Sequence, residues 1–188
     1  MSASPDRIGS GTIMLEAVAA EIEAFVGRSG WDQPPTLFAL VPTRTLAADP
    51  AAAALLSGEA GPLRLDEISE TAITPVAQQE FPDGPLDDAL AGIGWPDEVI
   101  GCALSQQIVM LPPSAERDID TLPIEAALSA AADHPDRRDA RLVVAVLRDG
   151  RSAGLLRLRG PDQSEDDLLS GPELAPNLAA ALSTTLSG

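Results

Sequence analysis

Apolar positions along the chain repeat with two periods, and their alternation predicts the order of the elements. Leu15, Val18, Ala19, Ile22, Phe25 and Val26 recur at helical spacing, with Glu16, Glu21 and Glu23 mostly off that stripe. This predicts an amphipathic helix that Gly27 or Gly30 can end. After the Pro34-Pro35 break, Thr36 to Val41 reads as a short buried strand stopped by Pro42. Residues 43 to 57 read as helical, with Thr45 or Asp49 as N-cap and Pro50 in a first turn. Ile73 to Gln79 alternates as a strand but contains Pro75, which fits an edge position rather than a sheet centre. Asp87 to Ile93 adds a helical turn or two, Gly94 to Asp97 a turn, and Val99 to Leu111 a long strand closed by Pro112-Pro113. An acidic loop with Glu116, Asp118 and Asp120 leads to a helix capped by Thr121, with Pro123 in its first turn and Ile124, Ala127, Leu128 and Ala131 on one face. His134-Pro135 ends that helix. Strands Arg141 to Leu147 and Ser152 to Arg159 follow, then an acidic loop and a last helix from about Glu173 to Leu186.

The predicted fold is α+β: a single domain over residues 12–188, with an antiparallel sheet, a carboxy-terminal hairpin and helices packed on one side. Residues 1–11, rich in Ser, Pro, Gly and Asp, are expected to be a flexible lead-in.

The hairpin repays closer reading. Asp149-Gly150 supplies the positive φ angles of a two-residue type I′ turn. That register sets Arg148 opposite Arg151, Val146 opposite Ala153, Val144 opposite Leu155 and Leu142 opposite Arg157. One face then carries Leu142, Val144, Val146 and Leu155 rimmed by Arg148, Arg151 and Arg157, and these seven residues form a candidate interface. Either a second layer of the same chain covers this face, or it is a surface for a protein partner or a homodimer. The opposite face, with Val143, Ala145, Leu147, Leu156 and Leu158, is the expected core face.

Charge sharpens the picture. Seven of the twelve Arg lie between residues 137 and 159, where only Asp139 and Asp149 oppose them, so the window carries +5. The whole chain carries −17, which leaves −22 on the remainder. Such an acidic balance argues against nucleic acid and anionic membranes as partners. Across the turn, Arg148 and Arg151 need an acid nearby, and pairing within the chain is the plain expectation.

The 188 residues, 45% of them hydrophobic, suffice for one well-cored domain, and with 3% aromatics and no Tyr the core should be aliphatic. Ile13 to Ala20 is interrupted by Glu16, so neither a secretory signal nor a membrane span is expected, and a cytoplasmic setting is.

Candidate chemistry is sparse. Cys102 is the sole cysteine and sits mid-strand, as a buried thiol does. His134-Pro135-Asp136 spells the tripeptide that J-domain cochaperones carry between two helices, but a strand follows it here, so it reads as a helix-end turn. Asp87-Asp88, Asp118 with Asp120, and Glu165-Asp166-Asp167 lack the spacing of a calcium loop and read as solvated or, for Ser164 to Asp167, helix-capping acids. Gly9-Ser10-Gly11 follows no strand, unlike a phosphate cradle. Trp31 and Trp95, each preceded by Gly, are expected to anchor loops or to flank one groove. No catalytic residue, metal site or cofactor is expected.

Two segments, GWPDEVIGCALSQQIVMLPP and HPDRRDARLVVAVLRDGRSAGLLRLRG, resemble a family of small acidic actinobacterial proteins of unknown function, with the similarity running over most of residues 12 to 187. This resemblance implies a cytoplasmic actinobacterial protein and supplies no activity to transfer. The element order is also similar to that of type III secretion chaperones, which are small, acidic, dimeric α+β proteins, an analogy at the level of fold. The expected function is a non-enzymatic protein-binding, adaptor or chaperone-like role. A small enzyme using scattered carboxylates is the alternative.

Overall fold

The computed structural model describes residues 6–56, 65–78, 85–160 and 168–187. Among the described residues six strands form one antiparallel sheet: β1 (Thr36–Pro42), β2 (Ile73–Ala77), β3 (Gly101–Met110), β4 (Arg138–Leu147), β5 (Ser152–Leu158) and β6 (Leu168–Gly171), in the spatial order β2-β1-β3-β4-β5-β6. Seven helices of the described residues accompany them: α1 (Asp6–Gly27), α2 (Thr43–Ala48), α3 (Pro50–Leu56), α4 (Leu86–Ala91), α5 (Pro113–Ile119), α6 (Ile124–Asp133) and α7 (Pro176–Thr185). The α+β class and the single antiparallel sheet agree with the reading of the sequence.

The helices do not share one side. On one face α1 buries Leu15, Val18, Ala19, Ile22 and Val26 against Phe38, Leu40, Ala103, Val143, Ala145, Leu147 and Leu155. On the other, α7 and α4 bring Leu182, Leu186 and Leu90 onto Leu37, Cys102, Leu104, Leu142, Val144, Val146 and Leu156. The cause lies in β4, which is buried from Ala140 to Leu147 without interruption. A strand apolar on both faces needs a layer on each.

The hairpin register differs by one residue from the expectation. Leu147 N–H donates to Arg151 O at 2.9 Å and Gly150 N–H to Leu147 O at 3.0 Å, with Gly150 at φ +87°. Three residues, Arg148 to Gly150, make the connection, and the left-handed glycine closes it as a bulge after a turn. Asp149 keeps a negative φ, which a type I′ turn forbids. Val146 therefore pairs with Ser152, Val144 with Gly154, Leu142 with Leu156 and Arg141 with Arg157.

Other differences are local. Asp49 is extended and breaks the expected 43–57 helix in two, because the residue before a proline avoids helical ψ. Its Oδ1 accepts from Ala51 and Ala52 N–H, at 2.8 and 3.0 Å, so it caps α3 as expected while Thr45 does not. Helix α1 begins at Asp6, within the expected lead-in. The acidic stretch after Pro112 is helical as α5, with Pro113 in its first turn. Thr121 does not cap α6; its hydroxyl donates to Asp118 O at 2.8 Å and Pro123 precedes the helix. Leu168 and Leu169 continue the sheet as β6 rather than starting a helix. The run Ser164 to Asp167 lies outside the described residues.

Pro75 sits at the sheet's edge, and backbone pairing explains why. Thr43 N–H bonds Ala72 O and Gln78 N–H bonds Leu37 O, so even-numbered residues of β2 bond inward and Pro75 faces its nitrogen outward. No ladder bond to β1 is lost.

At Gly101 a Cβ would collide with the Val146 carbonyl oxygen and crowd the Leu147 side chain, both on the facing strand. Gly101→Ala should lower stability by about 3 kcal/mol, the upper end for forced overpacking. Denaturant unfolding of the variant checks this, against Gly92→Ala, where a Cβ meets nothing within 4 Å and little should change.

Candidate functional site

The seven hairpin residues singled out from the sequence do not form one face. Leu142, Val144 and Val146 are buried beneath α7 and α4, whereas Leu155 is buried beneath α1. Arg157 reaches Glu23 of α1. Arg148 turns onto backbone carbonyls: Nε donates to Val99 O at 2.8 Å, one terminal nitrogen to Trp95 O and Pro96 O at 3.1 and 3.2 Å, and the other to Leu186 O beyond the end of α7. Arg151 pairs with Asp149 at 2.5 Å, and in the observed register it stands opposite Leu147 rather than Arg148. The one-residue shift in register separates the set, and the chain's own helices cover what remains.

Beneath α1 lies the strongest electrostatic feature of the fold. Glu23 is 3% exposed, and its Oε1 accepts from Arg141 at 2.9 Å and from Arg157 Nε at 2.7 Å while Oε2 accepts from Arg157 at 2.9 Å. Arg141, also 3% exposed, donates a further bond to Gly30 O at 2.6 Å and lies 4.7 Å from the Trp31 ring centroid. Gly27 makes this reach possible, since a Cβ there would press on the Arg141 guanidinium at 3.0 Å. Arg159 lies 5.3 Å from the same ring and bridges Asp139 at 3.4 Å and Asp32 at 3.7 Å. Both Glu23 oxygens are engaged with guanidinium N–H groups, so the group serves packing rather than proton transfer. The sequence pattern set Glu23 mostly off the apolar stripe, and the structure corrects this: four residues after Ala19 and three before Val26, it lies on the buried face of α1.

On the opposite face, Cys102 is fully buried against Thr185, with Sγ 3.6 Å from its hydroxyl. That hydroxyl donates to Leu182 O at 2.7 Å and accepts from Trp95 Nε1 at 3.0 Å. Burial pushes the Cys102 thiol up to about 11, against a smaller opposing pull from the Thr185 hydroxyl and the Arg148 charge. It is a structural thiol. The two tryptophans anchor loops on different faces of the sheet and flank no common groove. His134 ends α6 and accepts from Asp136 N–H at 3.1 Å, the expected helix-end turn.

The open concavity lies elsewhere, at the β2 edge. A groove of about 860 Å³ is lined by α1, β1, β2, α2 and α3. Ile22, Phe38, Leu46 and Pro75 contribute to its apolar surface. Phe25 and Val76 line it while 48% and 37% exposed. Phe25 meets Phe38 edge-on at 6.1 Å, and Arg28 lies 5.2 Å from the Phe25 ring. Glu21 and Arg28 are its charged members. The volume falls within the roughly 300–1,000 Å³ of binding pockets. Sequence reading placed Phe25 on the core stripe of α1. The ring is instead half exposed at the groove, with its edge against Phe38.

Among the described residues no three His, Cys, Asp or Glu side chains gather to hold a metal ion, and no helix is long and apolar enough to cross a membrane.

Removing one partner of a buried ion pair leaves an uncompensated charge, so Glu23→Gln should lose about 3–5 kcal/mol in denaturant unfolding, against under about 1 kcal/mol for Arg159→Ala on the surface. For Cys102 the folded state holds the thiol proton more tightly than the unfolded chain does. Stability present below pH 9 should therefore fall between pH 9 and pH 11, by about 3 kcal/mol for a shift of two units. The chain contains no Lys or Tyr to titrate in that window, so Cys102→Ala should flatten the profile.

The sequence model of one protein family, described as PPA1309-like protein, matches residues 15–187. No curated protein and no solved structure matches the chain.

Proposed function

We propose that this chain, which belongs to the PPA1309-like protein family, is a non-enzymatic binding protein, an adaptor or chaperone-like factor whose working surface is the groove between α1 and β2. The observation that supports this reading is a formed concavity with a largely apolar lining in which two large apolar side chains stay exposed. Phe25 and Val76 remain open to solvent there while the comparable residues of the hairpin are buried by the chain itself. Apolar surface gathered in a cleft marks a binding site far better than the same area scattered singly.

Carboxylate chemistry is less well supported. Acid–base catalysis by a carboxylate pair needs two acids converging on one place. The groove lining holds one, Glu21, with no His or Cys, and Glu23 is engaged by arginines. An actinobacterial source agrees with basic residues that are all Arg, and a cytoplasmic setting agrees with a single, buried cysteine. A homodimer would have to form elsewhere than on the hairpin positions first considered.

A neutral apolar dye such as N-phenyl-1-naphthylamine should bind the protein one to one with enhanced emission. Val76→Asp and Phe25→Glu, both at solvent-open positions, should each weaken it by about tenfold or more, as expected for the loss of about 1.4 kcal/mol, without changing the unfolding midpoint appreciably. Equal dye binding by both variants would place the apolar site elsewhere and end this reading.

A further inference from the structure

We infer that residues 29–35, between α1 and β1, form a strap that moves between a closed and an open position over the buried Arg141, with salt favouring the open one. Three observations lead there. The first is how the strap is held. No residue from 29 to 35 belongs to either apolar cluster. Its bonds to the sheet are polar: Arg141 donates to Gly30 O at 2.6 Å, Asp32 N–H donates to Gln107 Oε1 at 3.0 Å, and the Asp32 carboxylate lies 3.7 Å from Arg159. Trp31 lies against the guanidinium groups of Arg141 and Arg159, with 4.7 and 5.3 Å to its ring centroid. A segment with few buried apolar contacts belongs to the low-stability end of a fold.

The second is backbone strain within the strap. Gly30 at φ +83° and Asp32 at φ +66° both take left-handed conformations, and Asp32 is the one non-glycine residue among the described ones to do so. A side chain with a Cβ holds that conformation only at a cost, which the contacts of the closed strap offset.

The third lies beneath it. Gln107 stands opposite Arg141 in the β3–β4 ladder, so the two side chains share a face of the sheet. Gln33 and Pro34 of the strap close over them. Gln107 Nε2 and Arg141 Nε are buried there without a hydrogen-bond partner, and the space they line has no room for a water molecule. Both orphans are donors, so neither can satisfy the other. Closing the strap keeps two donors dry, and opening it returns them to water. Against this stand the polar contacts that hold it down. The Asp32–Arg159 pair is well exposed, at 80% and 42%, so salt screens the closing side of the balance and leaves the hydration of the orphans in place.

Native-state hydrogen exchange of the whole protein, resolved by residue with NMR and corrected for intrinsic rates, tests this. Asp32 N–H reports the strap, and the amides of Leu104 and Val144 report the middle of the sheet. Asp32 should exchange through an opening at least about a hundredfold more populated than the one that releases Leu104 and Val144. That population should rise about two- to fivefold between about 50 and 500 mM sodium chloride, the gain expected from screening one exposed pair. Gln107→Glu keeps an acceptor for Asp32 N–H and gives Arg141 Nε one as well, through a charge-assisted bond. In that variant the opening should fall by about tenfold or more, with the unfolding midpoint unchanged or raised. Protection of Asp32 equal to that of Leu104 and Val144 in the wild-type protein would overturn the inference without any variant. It would also be overturned by an opening that salt leaves unchanged or reduces, or by a Gln107→Glu protein that opens as readily as the wild type or loses stability.

Discussion

The buried triad of Glu23, Arg141 and Arg157 is the interaction on which the arrangement of layers depends. Apolar packing alone would let α1 slide or rotate over the aliphatic face of β3, β4 and β5, because Leu, Val and Ala side chains interchange at small cost. A carboxylate that is 3% exposed allows no such freedom. It must meet both guanidinium groups, and they are fixed opposite each other by the Arg141–Arg157 pair in the β4–β5 ladder. The ion pair thus converts a general affinity of helix for sheet into one register, and that register sets where Glu21, Phe25 and Arg28 stand opposite β2 across the groove.

Much of this fold was legible in the chain because its dominant signals are local. The α1 stripe, the β1 run, the proline-marked edge strand and the Asp49 cap each depend on a few neighbouring residues, and each stands where the pattern put it. The hairpin was legible as a hairpin. Its register was not, since Asp-Gly serves both a two-residue turn and the end of a three-residue one, and the choice rests on the sign of φ at Asp149. That single angle reassigned Arg157 from an imagined rim to the buried triad. Helices on both faces were signalled by the unbroken Leu142 to Leu147 run, which leaves that strand no polar face. The groove could not be read at all. It is assembled from α1, β1, β2, α2 and α3, and no periodicity within one segment records a space among five.

The two apolar clusters divide the molecule into compartments of different character. The one beneath α7 closes on itself: Trp95, Thr185, Cys102 and Arg148 tie loop, helix and strand together with hydrogen bonds, and the thiol is shut away. The one beneath α1 is sealed by charge at the Arg141 end and left open at the β2 end. The closed side supplies stability, while the open side keeps apolar surface exposed.

The Glu23–Arg157 contact spans 134 residues of chain. During synthesis at about 5–20 residues per second, α1 leaves the ribosome some 7–27 seconds before its second arginine exists. For that interval α1 is an amphipathic segment with an unmatched acid on its apolar face, while the strands it will cover are still being translated. The interaction that fixes the register of α1 is therefore completed only with β5, and until then the helix waits for its partners.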